Sequence, residues 1–123
     1  MGFKQDLQSG RVLLGTFVKT PHPHVVEVLS SAGLDCVCID AEHAPFDRQI
    51  IDLCIMAARA GRIPAVVRPA SGAAQELLNA LDCGADAVLV PHIHSVTGAV
   101  ALARQAHYGP GGRGFAGSTR AAA

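Results

Sequence analysis

Hydrophobic positions in this chain follow two alternating patterns. Short runs in which nearly every residue is apolar are each followed by a longer stretch with apolar residues three and four apart. The first pattern is that of a strand covered on both faces, the second that of an amphipathic helix. Residues 12–18 read as a strand stopped by Thr20-Pro21. Residues 24–32 read as a helix with Val25, Val28 and Leu29 on one face and Gly33 at its end. A second strand over 35–40 leads to a helix over 47–60, with Ile50, Ile51, Cys54, Ile55 and Ala58 as its inner stripe. A third strand over 63–68 precedes a helix over 72–83 that turns Leu77, Leu78 and Leu81 inward. A fourth strand over 86–91 precedes a helix over 95–107.

Four β-α units in tandem predict a parallel sheet with right-handed crossovers. The units recur at roughly 25 to 30 residues, close to the spacing of a (β/α)8 barrel. The expected fold is therefore α/β, of the (β/α)8 TIM-barrel type, with about the first four units present. Two short signals recur, Gly33-Leu34-Asp35 and Gly84-Ala85-Asp86, each a glycine at a helix end and an aspartate at a strand start. Residues 108–118 form a glycine-rich stretch, so the chain reads as one domain, 1–123, with a loop and tail over 108–123. Half a barrel leaves two strand edges open. Either partner chains close them or the chain is part of a longer protein, and the second is the expectation here.

Composition narrows the classes of function. Half of the 123 residues are hydrophobic, and ten basic residues balance ten acidic ones. Without tryptophan, with one tyrosine and with no basic patch, the chain has neither a nucleic-acid nor a membrane signature. Cys36, Cys38, Cys54 and Cys83 lack zinc-ribbon or C-x-x-C spacing and read as free thiols in a reducing cytoplasm. No apolar run approaches the roughly 20 residues that span a bilayer. The expectation is a soluble, cytoplasmic protein.

Chemistry gathers where strands end. The second strand runs into Asp40-Ala41-Glu42-His43-Ala44-Pro45, three ionisable groups in four positions. Alternation starts Asp40 and Glu42 on one side and His43 on the other, but a turn out of the strand lets all three reach the sheet's carboxyl edge. A carboxylate beside a histidine orients the ring and supports its protonated form, as a general base requires. The same residues also suit a solvated turn, with Asp47 capping the next helix. The first strand delivers Lys19, the third Arg68 and the fourth Pro91-His92-Ile93-His94. The planar fork of Arg68 suits a bound carboxylate, or it pairs with Asp40 or Glu42 across the sheet. His92 and His94 follow a strand as metal ligands of a hydrolase would, or else they are exposed residues at a helix start; His22-Pro23-His24 reads as a turn and cap. The glycine-rich loop lacks the Lys-Ser/Thr of a P-loop, which leaves Arg113 to reach an anion or to hold a subunit contact.

Taken together, these residues resemble the HpcH/HpaI family of metal-dependent pyruvate aldolases, of the 2,4-dihydroxyhept-2-ene-1,7-dioate and 2-dehydro-3-deoxyglucarate aldolase type. The resemblance runs through Leu14-Gly15-Thr16-Phe17, Ala32-Gly33-Leu34-Asp35, Asp40-Ala41-Glu42-His43-Ala44-Pro45 and Val67-Arg68-Pro69. It continues through Leu81-Asp82-Cys83-Gly84-Ala85-Asp86, Val90-Pro91 and Gly112-Arg113-Gly114. It implies a class II aldolase, a carbon-carbon lyase. Such an enzyme reversibly cleaves 4-hydroxy-2-oxo acids to pyruvate or a related oxo acid plus an aldehyde, in catabolism of the kind that degrades aromatic compounds. His43 is then the general base, Asp40 a member of the same site, and Arg68 the group that binds the oxo-acid carboxylate. Asp82 pairs with the histidine, from a neighbouring subunit of a homo-oligomer. A divalent cation, Mg2+, Mn2+ or Co2+, stabilises the enolate. Its ligands lie on later strands of the family's barrel, beyond Ala123, so no metal ligand is assigned to this chain, and little metal-dependent activity is expected of it alone. Gly109 departs from a proline common in that loop. The alternatives are a non-catalytic half-barrel that binds an oxo acid or assembles with a partner, and a metal-dependent hydrolase built on His92 and His94.

Overall fold

A computed structural model describes residues 2–122. The chain runs α1 (Phe3–Gln8), β1 (Gly15–Val18), α2 (Pro23–Ser30), β2 (Cys36–Asp40), α3 (Arg48–Ala60), β3 (Ala65–Arg68), α4 (Ala74–Asp82), β4 (Ala87–Val88) and α5 (Val96–Ala106), then a short 3₁₀ turn, Arg120–Ala122. The four strands form one parallel sheet in the order β1-β2-β3-β4. Each connection moves one strand further in the same direction. Right-handed crossovers of that kind stack successive helices on a single face.

Burial follows from that winding. Val18, Val37, Ile39, Ala65 and Val67 point to the helical face and pack with Val26, Ile51, Cys54, Ile55, Ala58, Ala80 and Cys83 in one buried cluster. The alternate residues Phe17, Cys38, Val66 and Ala87 sit side by side in register across all four strands. With Phe3 and Leu7 of α1 they line an apolar cavity of about 380 Å³ on the opposite face. Burial pushes the Cys38 and Cys54 thiols up to about 11, so both are protonated at neutral pH.

The two glycine-to-aspartate signals do the same job twice. Gly33 and Gly84 take φ values of +75° and +95°, which free the helix end to turn back. The aspartate that follows then receives the amide at the head of the preceding strand segment. Asp35 accepts from Leu14 N–H at 2.8 Å, and Asp86 accepts from Ala65 N–H at 2.8 Å.

Element types match the sequence expectation, but several bounds and faces do not. The first strand pairs only from Gly15, and Val12 is exposed. The third pairs from Ala65, because Pro64 has no N–H to give. The fourth has two residues, flanked by bonds from Asp86 N–H to the Ala65 carbonyl and from Leu89 N–H to the Val67 carbonyl. On α2 the buried residue is Val26, while Val28 is 62% exposed. On α4 Leu77 and Ala80 are the buried pair, and Leu78 and Leu81 are half-buried. Helix α1 was not expected: its six residues are too few to show a period, yet Phe3 is buried. Among the described residues no helix is long and apolar enough to cross a membrane.

A one-sided core makes a direct prediction. Ile39→Ala removes a side chain with no exposed area and should lower the unfolding free energy by about 2–5 kcal/mol. Val28→Ala should change it by less than about 0.5 kcal/mol. Urea unfolding followed by circular dichroism measures both, and equal losses would contradict the assignment of faces.

Candidate active site

The site begins with a buried carboxylate. Asp40, the last residue of β2, has no exposed area. A charge there must be fully partnered to be tolerated. Arg68, the last residue of β3, lies opposite it in register. Its Nε donates to Oδ1 at 3.0 Å and its Nη2 to Oδ2 at 2.7 Å, a bidentate pair. Two further donors come from the chain itself: the N–H groups of Glu42 and His43 reach Oδ1 at 3.2 and 3.1 Å. Those bonds bend the backbone out of the strand. Lys19 Nζ stands 3.8 Å from Oδ2. The Arg68 hydrogen bonds are the main reason the Asp40 carboxyl titrates at about 2; burial works against them, and the two backbone donors help.

The turn carries Glu42 and His43 to the same edge. Glu42 is a hub. Its Oε2 lies 3.4 Å from Arg68 Nε and 3.5 Å from His43 Nε2, and its Oε1 lies 2.7 Å from His92 Nε2. The Glu42 side chain is 10% exposed and that of His43 57%. The carboxylate that faces the His43 ring is therefore Glu42, while Asp40 holds His43 through its backbone N–H. Arg68 makes the cross-sheet pair that the sequence left open. Its guanidinium carbon also stacks 4.5 Å from the centre of the Phe17 ring. One nitrogen, Nη1, has no hydrogen-bond partner among the described residues. A carboxylate-binding role for Arg68 rests on that nitrogen.

Asp82 stands apart from this group. It ends α4 and accepts from Arg113 Nη1 at 2.9 Å; both side chains are 10% exposed. Arg113 also donates from Nε to the Ala106 carbonyl at 3.0 Å and stacks on Tyr108 at 4.0 Å. Within one chain Arg113, and not His43, is the partner of Asp82. Asp47 caps α3 by accepting from Ile50 N–H at 2.8 Å, and His22 caps α2 by accepting from His24 N–H at 3.2 Å. The bond from His92 to Glu42 was not foreseen. The sequence places both residues at strand ends but shows nothing that joins positions 50 apart.

A parallel sheet wound in one direction, with acid–base groups converging at its carboxyl edge, defines an enzyme-like α/β scaffold. Residues 13–123 match the model of the HpcH/HpaI aldolase/citrate lyase family. The chain is 37% identical over 110 residues to a hydroxypyruvate/pyruvate aldolase of Roseovarius nubinhibens, covering 89% of this chain and 43% of that protein. It is 34% identical over 120 residues to a 4-hydroxy-2-oxovalerate aldolase of Rhodococcus jostii, covering 97% and 46%. The crystal structure of an HpcH/HpaI aldolase from Desulfitobacterium hafniense superposes with a TM-score of 0.86 at 29% identity, over 96% of this chain and 46% of that one. This chain belongs to the HpcH/HpaI aldolase/citrate lyase family, and it spans less than half the length of these relatives.

The donors described here do not fit a resident divalent cation. Asp40 is engaged by Arg68 and two amides, and Glu42 by His92 and Arg68. Among the described residues no three His, Cys, Asp or Glu side chains group to hold a metal. A third ligand for His92 and His94 is thus not found among the described residues, and His92 Nε2 is already bonded to Glu42.

Because the folded carboxyl of Asp40 titrates below its ordinary 3.8, its ionised form stabilises the fold above that value. That contribution should be lost as pH falls from about 4 to about 2. Asp40→Asn should be less stable at neutral pH and should lack this part of the acid transition. Unfolding curves at a series of pH values measure the difference, and parallel acid profiles for the two proteins would remove Asp40 from it.

Proposed function

We propose that the protein acts in the reversible cleavage of 4-hydroxy-2-oxo acids to pyruvate or a related oxo acid and an aldehyde, as a carbon-carbon lyase. The observation that carries this is the Asp40–Arg68 pair with Glu42 and His43 beside it, at the carboxyl edge of a sheet of the aldolase family. Names of relatives such as pyruvate aldolase support the substrate class. In this reading Arg68 Nη1 binds the oxo-acid carboxylate, and the bidentate grip of Asp40 keeps the guanidinium plane fixed for it.

His43 supplies the proton chemistry. The 4-hydroxyl proton passes to His43, the C3–C4 bond breaks, and its electron pair enters the enolate of the oxo acid. Protonation at C3 then releases pyruvate, and the aldehyde is the other product. Glu42 supports the imidazolium that forms. The cation that the family resemblance implies is not matched by the donors among the described residues. Asp82 reaches His43 only if a second copy presents it, so the protein is read as a homo-oligomer, and the sheet as part of an eight-stranded barrel.

His43→Ala should reduce turnover by about 10²–10⁴-fold while oxo-acid binding persists. Cleavage assays across pH, with pyruvate binding by calorimetry, test it; full turnover would remove His43 from the mechanism. Arg68→Lys keeps the charge but loses the fork, and KM should rise about ten- to a hundredfold, the loss of one charged hydrogen bond. Oxalate, a planar mimic of the enolate, should weaken in parallel as an inhibitor. If KM and oxalate inhibition are both unchanged, Arg68 serves only to neutralise Asp40.

A further inference from the structure

His92 has no part in the mechanism above, yet it makes the shortest contact of Glu42. It sits just past β4, and its Nε2 is 2.7 Å from Oε1 of Glu42. An ionised carboxylate only accepts, so Nε2 carries the proton and His92 is the donor. Its backbone is held at φ +58°, a region that side chains other than glycine rarely enter. A strained backbone with the side chain bonded to a site carboxylate is the pattern expected of a residue placed for a purpose.

The local geometry gives that purpose. Glu42 has two oxygens and three neighbours. Arg68 and His43 share Oε2 at 3.4 and 3.5 Å, neither of them a short bond. Only Oε1 is firmly anchored, and its anchor is His92. The terminal torsion of a glutamate is broad and nearly two-fold, so an unanchored carboxylate rotates freely. The charged and titratable groups that face it are His43 from its own turn, Arg68 from β3 and His92 after β4, while Lys19 after β1 faces Asp40 instead. Among the described residues Arg68 is the one full cation within 4 Å of Glu42, and without the bond from His92 it is free to draw the carboxylate out of its orientation toward the His43 ring.

We propose that His92 is a positioning residue: by donating Nε2–H to Oε1 of Glu42, it keeps Oε2 turned toward His43. This rests on the reading of His43 as the base. It assigns the fourth strand a share in a site that the sequence credits to the second and third. His92 acts through Glu42 and touches no reacting atom.

Two substitutions separate positioning from other roles. Glycine adopts φ +58° without strain, so His92→Gly keeps the fold and removes only the donor. His92→Gln keeps an N–H donor but cannot titrate. Turnover in His92→Gly should fall about tenfold, as for the loss of a supporting hydrogen bond at a site, with an unchanged unfolding midpoint and little change in KM. His92→Gln should recover most of that loss. Full activity in a folded His92→Gly protein would overturn the proposal. Equal impairment of the glycine and glutamine variants would also overturn it, because a titrating imidazole and not a donor would then be needed. Imidazole ¹⁵N shifts provide a readout independent of activity: His92 should be fixed as the Nε2–H tautomer in the wild-type chain and released in Glu42→Gln. A mixed tautomer in the wild type would overturn the contact itself. Full activity in His43→Ala would instead defeat the base assignment and leave the ¹⁵N result to decide whether His92 holds Glu42.

Discussion

The bidentate pair between Asp40 and Arg68 is the interaction on which this edge of the molecule depends. It joins two adjacent parallel strands at their last paired position, where the backbone ladder runs out. A carboxylate with no exposed area is tolerable only when its lone pairs are filled. Arg68 gives one bond to each oxygen, and the N–H groups of Glu42 and His43 add two more to Oδ1. The demand for satisfaction is therefore also what turns the chain. A glutamate or asparagine at position 40 would alter the reach or the charge, and the turn that presents Glu42 and His43 would lose its template.

That pair could not form in a sheet wound differently. Sequential parallel order places β2 beside β3, so residues two apart on each strand form layers across the sheet. The layer of Phe17, Cys38, Val66 and Ala87 is apolar, and the next layer along β2 and β3 is Asp40 with Arg68. The change from apolar to charged happens within one repeat of the pleat. Arg68 spans both layers: its guanidinium stacks on Phe17 while its nitrogens reach Asp40. Apolar packing below thus stiffens the charged layer above, and the side chain is only 21% exposed.

Much of this was legible in the chain. Alternating periods gave the four β-α units, because strands covered by helices need apolar residues at nearly every position. The strand-end rule found Asp40, Glu42, His43 and Arg68, since charged residues directly after an apolar run have few other places to go. Faces were harder. Val28 fits the helical stripe of α2 as well as Val26 does, and only packing against the neighbouring helix decides that Val26 is inside. The bond of Glu42 to His92 and that of Asp82 to Arg113 were not legible at all. His92 lies 50 positions from Glu42 and Arg113 lies 31 from Asp82, and no local spacing encodes such pairs. For Arg113 the structure shows an intrachain partner, the carboxylate of Asp82, which neither alternative read from the sequence had named.

Aspartates at the two edges of the sheet show how one residue type serves opposite ends. At the amino edge Asp35 and Asp86 accept backbone amides, from Leu14 and Ala65. Those two amides are fixed by the chain path, so the bonds they give hold the strands in register, and the other oxygen of Asp35 accepts from Arg11 Nη2 at 2.7 Å. At the carboxyl edge Asp40 takes a side chain as its main partner, and Glu42 takes three. Side-chain partners are free to exchange protons, to rotate and to meet a ligand; backbone amides are not. The parallel sheet makes this division itself, because every connection from helix to strand is a return that must be tied down, while every connection from strand to helix opens toward the same mouth. The returns are thus tied through backbone bonds, and the departures present ionisable side chains at one edge, with the Asp40–Arg68 pair at its centre.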